Sequence, residues 1–393
     1  MQEDRNVRSL LGAYSLEMRL LMALVGHSLG GAPPAIPALT PTGWERLLEL
    51  AAAHRVQPLA YAVLKAFPAE VPAEVISHLK SQRDQAWMHS KMLAQEIGRV
   101  SRLLTDGGIA LVTLKGPALG AQVYGSSAAR AMRDLDILIR PADFQKARSL
   151  LEANGFVWDE TTALLTAEAQ NVLARSVTHF EFRHFRLGYL LEVHLRAFSV
   201  SALLPISLNE LFADAEWIDL EGVPVPTLSP WHHFLFVAAH GVKHGWHRLS
   251  WLADFAAFLT RYPDWFSEPD AAKDHRQQIR VLGLQRVLAA SFWMSHLCFE
   301  TSLPQSGNAL PPLAAYGLQT LIRGRPPITA QEKFGELRQL LRIRADFAYR
   351  LSVLLSYLQI TREDIVRFPL PKRLRNLYPV LHPLLWTLRK ISP

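Results

Sequence analysis

Residues 130–141 read RAMRDLDILIRP, and two aspartates, Asp134 and Asp136, stand one residue apart inside an apolar run. Charge buried beside Leu135, Ile137, Leu138 and Ile139 is costly unless something compensates it. A short run rich in Ile and Leu reads as a strand. Alternate residues of a strand share a face, so Asp134 and Asp136 point one way while Leu135, Ile137 and Ile139 point into a core. Two carboxylates held close on one rigid element repel unless cations sit between them. A pair of Mg2+ ions meets that need, because Mg2+ favours a few carboxylates plus phosphate oxygens. With two ions roughly 3.5–4 Å apart, one activates a hydroxyl while the other supports a leaving pyrophosphate. Glu192 in YLLEVHLR (189–196) is the candidate third carboxylate, since it too interrupts an apolar strand. The plain alternative is a solvated strand edge with both aspartates facing water.

The flanking chain has the texture of a mixed α/β unit. IALVTLKG (109–116) reads as a buried strand, and PALGAQVYG (117–125) as a short helix with Pro117 at its first position. PADFQKARSLLEANGF (141–156) reads as a helix from Pro141 to Gly155, and THFEFRHFRLGYLLEVHLRAF (178–198) as two strands joined near Arg186–Gly188. Outside this unit the pattern is helical. Apolar positions recur at helical spacing over 8–29, 42–66 and 74–105, the last stopping at Gly107-Gly108. Ser229-Pro230 opens a helix expected over 230–243, and 329–360 and 371–391 are again helical in pattern, with a loop at 303–312. The expected fold is therefore α+β: a small mixed-sheet core at 106–205, an N-terminal helical region at 1–105 and a C-terminal helical region at 206–393.

Composition narrows the class. The 393 residues are 49% hydrophobic and 20% charged, which describes a globular chain rather than a disordered one. The net charge of +7 favours anionic partners such as nucleotides, nucleic acid or an acidic membrane surface, without choosing between them. Cys298 is the single cysteine, so an intramolecular disulfide and a cysteine-built zinc site are excluded and a reducing, cytoplasmic setting is expected. The N-terminal stretch carries early acids, with Glu17 and Arg19 inside its apolar part, and does not read as a secretion signal. No run of 18 apolar residues predicts a membrane span.

These residues carry a family resemblance. TLKGPALGAQVYGSSAARAMRDLDILI (113–139), then YLLEVHLR, then HGVKHGWHRLSWLADF (240–255) resemble the nucleotidyltransferase-fold proteins of the DNA polymerase β-like superfamily. The nearest likeness is to the bacterial branch described as uncharacterised nucleotidyltransferases, and it runs from AAAHRVQPLAYAVL (51–64) to the basic C-terminal segment. The resemblance implies a small mixed-sheet nucleotidyltransferase core and a metal-dependent enzyme that binds an NTP such as ATP. It implies that Asp134 and Asp136 bind catalytic Mg2+ or Mn2+, with Glu192 as the third acid. Two departures stand out. The wider superfamily has Gly-Gly or Gly-Ser after the first strand, where this chain has Lys115-Gly116, and 18 residues separate Gly116 from Asp134, a longer gap than usual. Lys115 replaces a hydroxyl contact with a charge. Gly116 permits close backbone approach, and the amides opening the next helix favour an anion.

The remaining polar residues have competing readings. Arg130 and Arg133 either touch the triphosphate or pair with the acids. His194 shares a face with Glu192 and orients that carboxylate, meets substrate or is a satisfied core histidine. His240, Lys243, His244, His247, Trp251 and Asp254 fall on one stripe if 240–255 is a single helix. A zinc pair at His240 and His244, a substrate surface using Lys243, His244 and Arg248, and simple packing compete there; the resemblance favours a helix over the nucleotidyl site. WHHF (231–234) reads as interior packing. The basic, aromatic segment 371–393 either meets an acidic membrane surface or packs on the domain.

The leading expectation is transfer of a nucleoside monophosphate from an NTP to a small molecule, peptide or protein, with release of pyrophosphate. A toxin-type enzyme acting on RNA and a catalytically silent nucleotide-binding scaffold are the alternatives. Nucleic acid is not favoured, because no aromatic–basic interleaving typical of single-strand binding is present.

Overall fold

The computed structural model describes residues 12–158, 177–303 and 309–357, with separate positions at 170, 173–174 and between 367 and 385. The helical pattern expected over 371–391 lies largely outside the described residues. The fold is α+β: a seven-stranded mixed sheet with helical regions at both ends of the chain.

The strands are β1 Leu111–Thr113, β2 Asp134–Ile139, β3 Phe156–Trp158, β4 His179–His184, β5 Leu190–His194, β6 Glu216–Leu220 and β7 Val223–Thr227. Their order across the sheet is β3-β4-β5-β2-β1-β7-β6. β2 thus lies at the centre, and Asp136 is only 3% exposed. The reading of D-x-D as a solvated edge is overturned by that position. β6 and β7 lie beyond residue 205 and join the same sheet, β7 pairing parallel to β1 through Thr113 and Thr227.

Register then decides what each face carries. β2 and β5 run parallel, with Leu135 beside Leu191, Asp136 beside Glu192 and Ile137 beside Val193. β4 runs antiparallel to β5, with Phe180 beside Val193 and Phe182 beside Leu191. One face is therefore a continuous apolar surface of Leu135, Ile137, Leu191, Val193, Phe180 and Phe182, all buried. Trp158 of β3 extends it, opposite Phe182. The helix Phe144–Ala153 covers this face, and its Phe144 ring stacks on Phe180 at 4.3 Å and meets Trp158 edge-on at 5.6 Å. Burying such rings contributes on the order of 2 kcal/mol apiece. The opposite face receives Asp134, Asp136, Glu192, His194, His179 and Glu181. A slip of one residue would exchange the two sets, so apolar packing on one side fixes the acids on the other.

The described chain divides into two compact units. One comprises 95–118, 133–229 and 346–393 and contains the whole sheet; the other comprises 1–94, 119–132 and 230–345. Within the second unit the helix Pro230–Lys243 begins where Ser229-Pro230 predicts. The single helix expected over 240–255 is not formed. The helix ends at Lys243, and a new one starts at Leu249 and runs to Arg261. Gly245 takes the left-handed conformation (φ 61°). Its N–H bonds Val242 O at 3.1 Å, and the Trp246 N–H bonds Gly241 O at 2.8 Å. This pair of bonds closes a helix with glycine at the first position past the cap. The Trp246 ring folds back on Gly241, where a Cβ would collide with it.

Candidate active site

β2 and β5 bring Asp136 and Glu192 side by side, and one imidazole joins them. His194 Nε2 lies 3.1 Å from Asp136 Oδ1 and 3.2 Å from Glu192 Oε2. Lys115, in the turn after β1, places Nζ 3.0 Å from the same Asp136 oxygen. The turn follows from Gly116, at φ 71° in the left-handed region, where an added Cβ would meet nothing closer than Asp134 O at 3.8 Å. Backbone conformation rather than space is what requires glycine there. Leu114 N–H bonds Asp136 O at 3.1 Å, tying the end of β1 to the acid strand.

Charge balance explains how a central strand tolerates a carboxylate. Burial alone would raise the Asp136 pKa, but the Lys115 ammonium and the His194 contact hold it well below the usual carboxylate range. Burial likewise disfavours the Lys115 and His194 cations, and the acids outweigh it, raising both pKa values. Asp136 contributes most to each, while Asp134 and Glu192 also act on Lys115 and Glu192 also hydrogen-bonds His194. Asp134 is half-buried at the start of β2, on the same face as Asp136.

β4 adds residues that sequence reading did not select. His179 stands beside His194 in register, and Glu181 beside Glu192. His179 Nε2 lies 3.9 Å from Glu192 Oε2 and 4.0 Å from Glu181 Oε1. One donor atom from each of His179, Glu192 and His194 lies within 4.8 Å of the others. The signal was present in HFEFRH, whose polar residues alternate with Phe180 and Phe182.

The other expected site residues fall as follows. Arg133 is exposed and directly precedes β2. Arg130 is held by Asp254, its Nε at 2.8 and 3.0 Å from the two carboxylate oxygens. Tyr124 OH donates to Asp254 Oδ1 at 3.1 Å, and Ser90 Oγ donates to Arg130 O at 3.0 Å. Lys243 ends its helix, His244 lies in the closing turn, and Arg248 precedes the next helix. His240, His244 and His247 still gather on Trp251, with ring centroids 4.7, 5.5 and 4.6 Å from it, and Arg248 stacks on the same ring at 5.3 Å. WHHF packs inside as expected: His232 and His233 are buried, and His233 Nδ1 bonds Gln122 Oε1 at 2.8 Å. Among the described residues no helix is long and apolar enough to cross a membrane.

The sheet face gathers acids, a lysine and histidines beside a glycine turn. No curated protein matches the chain. A family model described as uncharacterised nucleotidyltransferase matches residues 40–300, a span that includes the sheet face and the histidine-rich turn. The chain belongs to this uncharacterised nucleotidyltransferase family, which supports nucleotidyl transfer as its function.

Proposed function

We propose that the chain is a metal-dependent enzyme of the bacterial branch of the DNA polymerase β-like superfamily. It moves a nucleoside monophosphate from an NTP to an acceptor and releases pyrophosphate. The observation that carries this reading is the convergence of Asp136 and Glu192 on His194, with Lys115 on the same carboxylate.

The residues fit a divalent cation. Asp136 is a buried carboxylate whose charge already draws two cationic groups, and Glu192 stands in register beside it. Hard oxygen donors of this kind suit Mg2+ and also accept Mn2+. Asp134, Asp136 and Glu192 would hold the ions. When bound, such ions neutralise phosphate charge and make an attacking hydroxyl more acidic. The chain's own groups do the rest. Lys115 supplies a point charge to the triphosphate, and Gly116 lets the backbone and the opening amides of the next helix approach it. Arg133 is exposed beside the acids and meets phosphate from outside. Arg130 has its Nε on Asp254 and serves by holding its own loop in place. Asp134, Asp136 and Glu192 have fixed positions on paired strands, which supply orientation at no cost during reaction.

The test is direct. Purified chain with Mg2+ and each of four NTPs labelled on the α-phosphate is expected to attach label to a component of a cell extract and to release pyrophosphate. Absence of both with every NTP contradicts the reading. Label on RNA ends alone would favour the RNA-acting alternative, and NTP binding without turnover would favour the scaffold.

A further inference from the structure

We propose that His179 and His194 are metal ligands, and that with Glu192 they form a mixed nitrogen–oxygen cation site that prefers Mn2+, Co2+ or Zn2+ over Mg2+. This inference deepens the proposed function, because Glu192 is shared with the acid set.

Three observations carry it. First, the spacing suits a small ion. Donors bonded to one divalent cation at about 2.1 Å stand about 3.0 Å apart at octahedral angles and about 3.4 Å apart at tetrahedral ones. His194 Nε2 lies 3.1 and 3.2 Å from the Asp136 and Glu192 oxygens, and the His179, Glu192 and His194 donors all fall within 4.8 Å. Closing the widest of these gaps takes a movement of His179, whose side chain is one-third exposed and sits beyond hydrogen-bond distance of both neighbouring glutamates. Second, the donors come from fixed frames. His179 and His194 occupy adjacent strands in register, with rings 4.9 Å apart and tilted by 36°, so both nitrogens serve one side of the sheet. Third, the donor types are unlike a magnesium site. Imidazole binds borderline ions far better than Mg2+, which is held by oxygen. Ion binding replaces the proton that Nε2 of His194 shares with the acids. That proton is released, as it is whenever a protonated ligand binds a metal.

The experiment uses the full chain without nucleotide. Mn2+ is titrated in and followed by electron paramagnetic resonance, with pulsed measurements that detect nitrogen-14 bonded to the ion. The expected result is one tightly held Mn2+ with imidazole nitrogen coupling, displaced by Zn2+ at equimolar levels and by Mg2+ only at about 100-fold excess or more. His179→Gln is expected to remove one nitrogen coupling and weaken Mn2+ binding by about 10-fold or more, the loss typical even of groups that merely support a ligand. His194→Gln serves as the second variant, and the unsubstituted chain alone decides the matter if either variant misfolds. Bound Mn2+ without nitrogen coupling, or no Mn2+ binding at all, overturns the inference. The two readings fail differently. An oxygen-only Mn2+ signal with NTP turnover sinks this inference and leaves nucleotidyl transfer standing. A nitrogen-coupled signal with no turnover does the reverse.

Discussion

Two sets of buried histidines in this molecule have opposite chemistry. His194, on the acid face of the sheet, is 6% exposed; His54 and His247, in the helical unit, are 1% and 4% exposed. Burial pushes all three toward the neutral form. His194 nonetheless ends with a raised pKa, because Asp136 and Glu192 accept its N–H. His54 and His247 both fall to about 4, because burial is reinforced by nearby positive charge: His247, Arg248 and Arg46 at His54, and Arg248, Arg323 and Arg55 at His247. His54 is also the acceptor for the Leu249 N–H at 3.2 Å, a role that the protonated ring would lose if the proton sat on that nitrogen. Neighbouring charge, not depth, separates a histidine that works among anions from one that must stay neutral among cations.

The comparison breaks most visibly where its charges are removed. Arg130 and Asp254 are 10% and 2% exposed, so Asp254→Ala removes the carboxylate that a largely buried guanidinium holds and is expected to cost about 3–5 kcal/mol in urea unfolding. A loss under about 1 kcal/mol would mean that the pair contributes no more than an exposed one. The next effect is on acid stability. A folded pKa of about 4 for His54 and His247 lies below the unfolded value of 6.5. The unfolded chain then binds more protons between those values, so stability is present above pH 6.5 and is lost as pH falls toward 4. The loss is roughly 3 kcal/mol per histidine at most. His54→Gln should flatten that limb of a stability–pH curve, and an unchanged curve would refute the assignment. His194 has the opposite sign: its stabilisation is full below pH 6.5 and fades as pH rises through its folded value, which a histidine titration by NMR would follow. Gly116→Ala forces an alanine to φ 71° and is expected to cost about 1–2 kcal/mol in the lysine turn, with no steric clash to add to it. Glu49→Ala removes only an exposed partner of Arg46 and should cost less than about 1 kcal/mol, a baseline for charge removal in water.

Local pattern made much of this legible. DLDILI is a short Ile- and Leu-rich run, and its strand runs from Asp134 to Ile139 as read, while Pro230 marks the start of its helix to the residue. Glu192 was picked out as a third acid because it interrupts an apolar run, and it stands beside Asp136 in register. What stayed hidden is non-local. His179 reaches the site only through the β4–β5 register, which no stretch of sequence states by itself. β7 carries Pro224 and Pro226, which argue against a strand, yet it pairs with β6 along its whole length and with β1 at Thr227 alone. The 240–255 periodicity continues smoothly through a turn, so the stripe looked unbroken; the Gly245 signal was outweighed by the spacing of the histidines. Arg130 had two open readings, phosphate contact or pairing with an acid, and the acid it meets, Asp254, lies 124 residues away where no local pattern points to it.

The most direct measurement is pyrophosphate release from each of four NTPs with Mg2+ or Mn2+, comparing the unaltered chain with Asp136→Asn after both are shown to be folded by circular dichroism. The unaltered chain is expected to release pyrophosphate with at least one NTP, and the variant to lose about 10³-fold or more of that rate. Equal rates in the two proteins would contradict the account, as would silence from the unaltered chain with all four nucleotides.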